Sequence, residues 1–382
     1  MKNHNNYPVI SIDEIVRPTR VEVDLRILVE NFHKVKKHVG CKIMPILKAN
    51  AYGHGLVRVA LLYEDLKADY LGVAVVEEGI LLREMGIKMP ILVLGGVWGN
   101  QIPLFLKYNL AITASSIDKL KQIDETSAQM KIKAKVHLKV DTGMERLGVH
   151  YYNAEKFLEA AHNCKNIVVE GIYSHFATAE SDDLTFAKLQ LERFNEVLEY
   201  FNKRSIKPPL RHIANSGAIL QLPEANFDMV RPGIMLFGVY PSKNIKKTVD
   251  VKTALNWKSL VVYFKVIKAG NAVGYGLTYT PDHNIRAVTV PVGYGDGYFR
   301  SLSNKAMVMI HGKKCPVIGN VSMDQIVVNI GNDSAYNGDE VILIGSDGNN
   351  SITAEDLAGW AGTIPYEILT NINTRVPRIY LE

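Results

Sequence analysis

Lys48 ends the apolar run KIMPIL and is followed by ANAYGHG, a stretch of small residues and glycines. A lysine held between apolar walls has a depressed pKa and becomes a nucleophile toward aldehydes, whereas a solvated one stays protonated; the position alone fits either. Gly53 and Gly55 let backbone approach a ligand, and Tyr52 can donate to an anion. KVDTGMERLG ends a second apolar run and supplies Lys139, Asp141 and Arg146 around a glycine turn, as a site or as a surface charge cluster. His175 closes VVEGIYSH, where a satisfied core histidine is the plain alternative. Asn215 and Ser216 in ANSGA precede a helical stretch, a place that suits a phosphate and equally suits ordinary helix capping. Arg231 in RPGI is hard to bury unpaired, and Gly233 and Ile234 offer backbone N–H groups after a proline. A lysine, a histidine, phosphate-compatible donors and an arginine at the ends of successive apolar runs suit a phosphate-bearing aldehyde cofactor held as a Schiff base. A dinucleotide site is disfavoured, because no G-x-G-x-x-G follows a strand, and neither G-x-x-x-x-G-K-[ST] nor H-E-x-x-H occurs.

Such residues must be carried by regular elements, and the chain has two rhythms. From about 40 to 240, short Val/Ile/Leu-rich runs alternate with stretches of helical period. Eight runs are present: 42–49, 70–75, 90–96, 110–114, 135–140, 168–175, 210–215 and 229–238. Helices are predicted at 55–66, 77–86, 117–128, 153–163 and 185–203, with Asn153 and Thr185 as N-caps. Eight such units predict a (β/α)8 TIM barrel, with an open sheet as the alternative; in a barrel the C-terminal strand ends form the site. After about 245, β-branched runs separated by the turns HGKK, GNDS and YNGD predict a mainly antiparallel β domain. Short helices follow at TAEDLAGWAG, capped by Thr353, and at PYEILTNIN, begun by Pro365. The expected division is an N-terminal extension at 1–17, a cofactor-binding barrel at 18–245 and a β domain at 246–382.

Composition narrows the class. With 382 residues, 47% of them hydrophobic, the chain can bury full cores without disulfides or metal. The net charge of +5 is spread along the chain, so no nucleic-acid partner is implied. No membrane span and no signal-peptide centre is visible, and a cytoplasmic protein is expected. Cys41, Cys164 and Cys315 are far apart and outside CxxC spacing, so zinc and disulfides are not expected and buried small hydrophobes are the reading for them.

The motif KANAYGHG, followed in order by VDTGMERLG, SHFA, NSGA, RPGI, GYGLTYT, VGYGDGY, VSMDQ, PYEIL and RVPR, resembles the pyridoxal-phosphate-dependent alanine racemases over roughly residues 18–382. The resemblance implies pyridoxal 5'-phosphate as cofactor, no metal, a small amino-acid substrate and a homodimer whose active site is shared between subunits. It implies that Lys48 carries the cofactor and acts as one base, and that Tyr275 of the other subunit is the opposing base. Phosphate would be held by Tyr52, Ser216, Tyr366 and the N–H groups of Gly233 and Ile234, with Asn215 beside them. His175 would lie near the ring and orient Arg231, which would hydrogen-bond the pyridine nitrogen. Arg146 and the Met323 backbone would contact the substrate carboxylate, with Asp324 in support, and Tyr294 would line the entrance. Lys139 matches a position often carbamylated in that family. Two departures stand out: Glu145 occupies a place where a small or neutral residue is common, and Ser322 stands where many relatives have cysteine. A serine or broader amino-acid racemase is the nearest rival. A diamino-acid decarboxylase and a pyridoxal-phosphate carrier barrel fit the motif order and the second domain less well.

Overall fold

The computed structural model describes residues 17–382, which form two compact units. The barrel unit comprises Val29–Ala51 and Leu56–Val251; the sheet unit comprises the described residues 17–28, Tyr52–Gly55 and Lys252–Glu382. The expected extension, 1–17, lies outside the described residues apart from Arg17. Residues 20–24 were expected with the barrel, but they form strand β1 (Arg20–Asp24) of the sheet unit. Its alternating RVEVD pattern pairs with strands distant in sequence, which local periodicity cannot reveal.

In the barrel unit, β2 (Lys42–Ile43), β3 (Leu71–Val73), β4 (Ile91–Val93), β5 (Ala111–Ala114), β6 (Ala134–Asp141), β8 (Ile167–Tyr173), β9 (Leu210–His212) and β10 (Met229–Val230) fall in or beside the eight apolar runs, and a side strand β7 (Val149–His150) lies outside them. Strands β3, β4, β5, β6, β8 and β9 pair in parallel in that order, and β10 pairs in parallel with β2. A parallel bridge from Ile46 to Gly72 joins β2 to β3. On the other side, Asp228 N–H bonds Arg211 O at 3.2 Å and Arg231 N–H bonds Ala214 O at 2.9 Å, which joins β9 to β10 and closes the ring. The strands are short and buried on both faces, as parallel strands under helices must be.

The helices between them bury one stripe. Thr185–Lys203 buries Ala187, Gln190, Leu191, Phe194, Val197, Leu198 and Phe201, the spacing of a single helical face. Two cap assignments are corrected. Asn153 makes no capping bond, because the 3-10 turn Tyr151–Asn153 runs straight into the helix Ala154–Asn163. Thr185 is already helical, and its N–H is taken by Asp183 Oδ1 at 2.9 Å. Cys315 is buried, but Cys41 and Cys164 are only half-buried, since each lies where an element ends.

The sheet unit holds β11 (Leu255–Leu260), β12 (Tyr263–Ile267), β13 (Ile285–Val290), β14 (Met307–Ile310), β15 (Lys313–Ile318), β16 (Ile326–Gly331), β17 (Glu340–Asp347), β18 (Asn350–Ile352) and β19 (Arg378–Leu381). Their pairing is antiparallel except for β1 with β19. The HGKK turn between β14 and β15 places His311 and Gly312 at φ 49° and 71°, the pair of positive angles that a two-residue hairpin requires. The helix Ala354–Ala361 is capped by Thr353, which accepts from Asp356 N, and Pro365 opens the helix Pro365–Thr370. No helix among the described residues is long and apolar enough to cross a membrane.

Candidate active site

Lys48 follows the β2–β3 bridge region and is held by an unusual backbone. Ala49, Asn50, Ala51 and Tyr52 have φ values of 52°, 56°, 52° and 52°, a left-handed turn without a glycine. Each such residue costs roughly 1–2 kcal/mol, so the conformation persists only where contacts impose it. Ala49 N–H bonds Glu78 Oε1 at 2.7 Å, Ala51 N–H bonds Leu47 O at 2.7 Å, and Asn50 Oδ1 accepts from Leu56 N at 2.8 Å. Lys48 keeps an exposed surface. Desolvation nonetheless pushes its pKa down, Arg146 adds to this, and Glu78 opposes it. The neutral, nucleophilic form is thereby favoured.

The inward face of β6 carries His137, Lys139 and Asp141 at period two. Lys139 is buried, lies 5.0 Å from the Tyr173 ring centre and donates to its neighbour's carbonyl, Val140 O, at 3.2 Å. Burial, then Arg231, with a smaller push from Arg146 that partly cancels the pull of Asp141, brings its pKa down to about 7. Asp141 shapes the following turn by accepting from Gly143 N, Met144 N and Arg146 N. Inside that turn Glu145 adopts φ 53°, a left-handed angle that is strained for any residue but glycine.

Arg231 is 3% exposed and meets four hydrogen-bond partners. It donates to His212 Nδ1 at 2.9 Å, to His175 Nδ1 at 3.0 Å, and to the carbonyls of Ser174 and Ile213. A guanidinium only donates, so both ring nitrogens that it meets are bare acceptors. His212 must therefore carry its hydrogen on Nε2, which lies 2.9 Å from His137 Nδ1, and His137 in turn carries its own on Nε2. Desolvation, followed by the charge of Arg231, drives all three imidazoles below their ordinary pKa, His137 to about 3. Tyr173 stacks on His212 with ring centres 4.8 Å apart and hydrogen-bonds Thr113 at 2.8 Å. His175 is fixed from behind, since Gln190 Nε2 donates to its carbonyl at 3.1 Å.

Ser216 opens the short helix Ser216–Gln221, and Asn215 caps it by accepting from Ala218 N at 3.0 Å. The Ser216 hydroxyl accepts from Gly233 N–H at 3.0 Å and keeps its own proton to donate. Lys48, Lys139, Arg146 and Arg231 all act electrostatically on His175, with desolvation the larger influence. These cations, with Ser216, fit an anionic, phosphate-bearing cofactor: the charges depress one another and want a negative partner.

Gly171 makes this packing feasible. A Cβ there would meet His137 Nδ1 at 2.2 Å, and the β6–β8 register shifts beside His137. Replacing Gly171 with alanine should cost about 1–3 kcal/mol, read as a lowered Tm, because the ring cannot move without breaking its bond to His212. An unchanged Tm would show that the histidine chain is not packed against this glycine.

Lys139 carries a pH prediction for the cofactor-free protein in carbon-dioxide-free buffer. Between about 7 and its ordinary 10.5, the unfolded chain holds a proton that the folded one lacks, so stability rises with pH in that window. Below it the cost of burying the ammonium is fully present. Thermal unfolding of wild type should show this rise and Lys139→Met should lack it; parallel curves would contradict the assignment.

The sheet unit carries the other candidates. Tyr52 and Tyr366 have ring centres 6.1 Å apart. Tyr275 is 76% exposed in the turn Tyr275–Leu277, whose carbonyl at Tyr275 accepts from Asn320 Nδ2 at 2.7 Å. Tyr294 and Met323 are exposed, and Asp324 accepts from Arg375. His137, His212, Tyr173 and Thr113 escaped the sequence reading; the period-two polar stripe 135, 137, 139, 141, alternating with apolar residues, is the signal that could have found the first of them.

Comparison with known proteins agrees with this geometry. The family descriptions "Alanine racemase, N-terminal domain" and "Alanine racemase, C-terminal domain" match residues 23–241 and 254–380. The alanine racemase of Carboxydothermus hydrogenoformans is 44% identical over 369 residues, covering 96% of this chain and all of that protein. The structure of the Clostridium difficile 630 alanine racemase superposes with a TM-score of 0.92 at 36% identity, covering 96% of this chain and 97% of that one. A histidine racemase from Leuconostoc mesenteroides superposes at 0.88 with 30% identity, covering 96% and 99%. Family matches across both parts of the chain and relatives aligned nearly end to end leave one assignment: this chain belongs to the alanine racemase family.

Proposed function

We propose that the protein interconverts L-alanine and D-alanine with pyridoxal 5'-phosphate, supplying D-alanine for peptidoglycan. The observation that carries this reading is the cationic cluster at the strand ends, where Lys48 has a lowered pKa and Arg231 is wrapped by two neutral histidines. When bound, the cofactor supplies an electron sink that acidifies the substrate's α-hydrogen. Racemisation needs that hydrogen removed from one face and returned to the other, so two bases are required. Lys48 Nζ serves one face and Tyr275 Oη the other. Arg231 would meet the ring nitrogen and, because a guanidinium keeps its proton, would leave that nitrogen unprotonated, so the sink would stay weak and side reactions such as transamination would be limited. Ser216, Tyr52, Tyr366, Gly233 and Ile234 hold the phosphate, with Asn215 fixing the Ser216 helix. Arg146 and the Met323 N–H take the substrate carboxylate, Asp324 supports that segment and Tyr294 borders the entrance.

Tyr275 acts in the partner subunit of a homodimer. Its exposure, together with the exposed Tyr263, Phe264 and Val266 on β12, supports an assembly that covers them. Lys139 is carbamylated: its neutral amine attacks carbon dioxide, an N–C bond forms and a proton leaves, giving an anion beside Arg231 and Arg146. Labelled bicarbonate should yield a carbamate carbon signal by NMR that Lys139→Met lacks; a signal in neither protein would refute it.

The test of the activity is optical. L-Alanine incubated with cofactor-loaded protein should lose its rotation completely, with L-serine and L-histidine run alongside. Retained rotation of alanine with loss for another amino acid would move the substrate to that one, a reading to which the histidine racemase relative gives some weight.

A further inference from the structure

One buried carboxylate has no part in the account above. Asp296 has a side chain that is 0% exposed. Arg17 Nη1 donates to its Oδ1 at 2.6 Å and Nη2 to its Oδ2 at 2.8 Å. Arg375 Nε donates to Oδ1 at 2.7 Å, and Gly293 N–H to Oδ2 at 3.0 Å. Four donors thus occupy the lone-pair sites of one carboxylate. Burial alone would push Asp296 up, but the bonds from Arg17, Gly293 and Arg375 outweigh it and hold the group below the usual carboxylate range. Arg375 turns its other end onto Asp324. Arg17 lies before the first residue matched by the family description, which begins at 23, in a segment the sequence reading set aside as an extension.

Three segments meet at this carboxylate. The turn Tyr294–Asp296 is tied to the stretch carrying Met323, with Tyr294 N–H on Ser322 O at 3.1 Å and Gly295 N–H on Met323 O at 2.9 Å. The contact is close enough that a Cβ at Gly293 would lie 2.3 Å from Ser322 O and 2.4 Å from Met323 O. On the other side, Asn373 N–H bonds Asp296 O at 3.0 Å, just beyond the helix Pro365–Thr370 that carries Tyr366. The φ of 97° at Gly297 brings the same turn against Asn371 O, 2.1 Å from where a Cβ would stand.

We propose that Asp296, clamped between Arg17 and Arg375, is a positioning residue that sets the Met323 backbone and Tyr294 for substrate, and that Arg17 belongs to the working machinery. The inference rests on the racemase reading for what Met323 touches. A carboxylate contact made equally in ground and transition states changes KM more than kcat when it is loosened.

The test uses the full chain with Arg17→Ala and Arg17→Lys. With cofactor and alanine, Arg17→Ala should raise KM about tenfold with kcat within about twofold, and Arg17→Lys, which keeps charge but not the two-pronged grip, should recover part of it. In the cofactor-free protein, amide hydrogen exchange at 293–297 and 322–325 should quicken about tenfold while β14 stays unchanged. Unchanged KM together with wild-type exchange in those segments overturns the proposal. So does a lowered Tm with exchange raised uniformly across the sheet and KM unaltered, since that is a purely structural role. If Arg17→Ala does not fold, Arg17→Lys carries the same two readouts. A wild-type protein inactive on alanine would count against the racemase reading, and the exchange comparison would still decide the clamp.

Discussion

Replacing Lys48 with alanine should lower alanine racemisation by about 10^4-fold, because on the proposed mechanism one substitution removes both the cofactor's covalent partner and one of the two bases. The expectation follows from the environment of the amine. Desolvation and then Arg146 lower its pKa, which favours the neutral base relative to a solvated lysine, and Lys48 directly precedes the left-handed turn. Folding should survive, since Lys48 is exposed and alanines already occupy positions 49 and 51 of the turn. Steady-state rates in both directions, with circular dichroism as the folding control, measure this. A variant retaining more than about a tenth of wild-type activity would remove Lys48 from both roles.

Tyr275→Phe should lower the same rates by about 10²- to 10⁴-fold while leaving stability near wild type, because the hydroxyl of a 76% exposed ring supports no core packing. The proposed sharing of the site between subunits adds a sharper consequence. Mixing Lys48→Ala with Tyr275→Phe, followed by dissociation and reassociation, should restore about a quarter of wild-type activity, since half of the random dimers are mixed and each contains one intact site. A mixture that stays as inactive as its components would place both bases in one subunit.

How much of this was legible depended on whether a signal is local. The eight apolar runs stood out because parallel strands buried on both faces read as continuous Val/Ile/Leu segments, and the helix Thr185–Lys203 matches its prediction at both ends. Ring closure rests on single bonds such as Ile46 to Gly72, which no periodicity encodes. Strands β1 and β19 lie at opposite ends of the chain and find each other in parallel, so neither RVEVD nor RIYL announces its partner. At the site, Lys48 and Arg231 were visible as polar residues closing apolar runs. His212 was not, because one histidine in a short strand looks like core filling until Arg231 is seen to donate to it. Asp296 was hidden for the same reason at greater range: Arg17 stands 279 residues away.

The central claim is that two bases act on opposite faces, and α-hydrogen exchange in deuterium oxide tests it most directly. Wild-type protein should wash the α-hydrogen from both L-alanine and D-alanine, followed by proton NMR. Tyr275→Phe should retain exchange with one enantiomer, served by Lys48, and lose it with the other. Exchange with both enantiomers at wild-type rates in Tyr275→Phe would contradict the account.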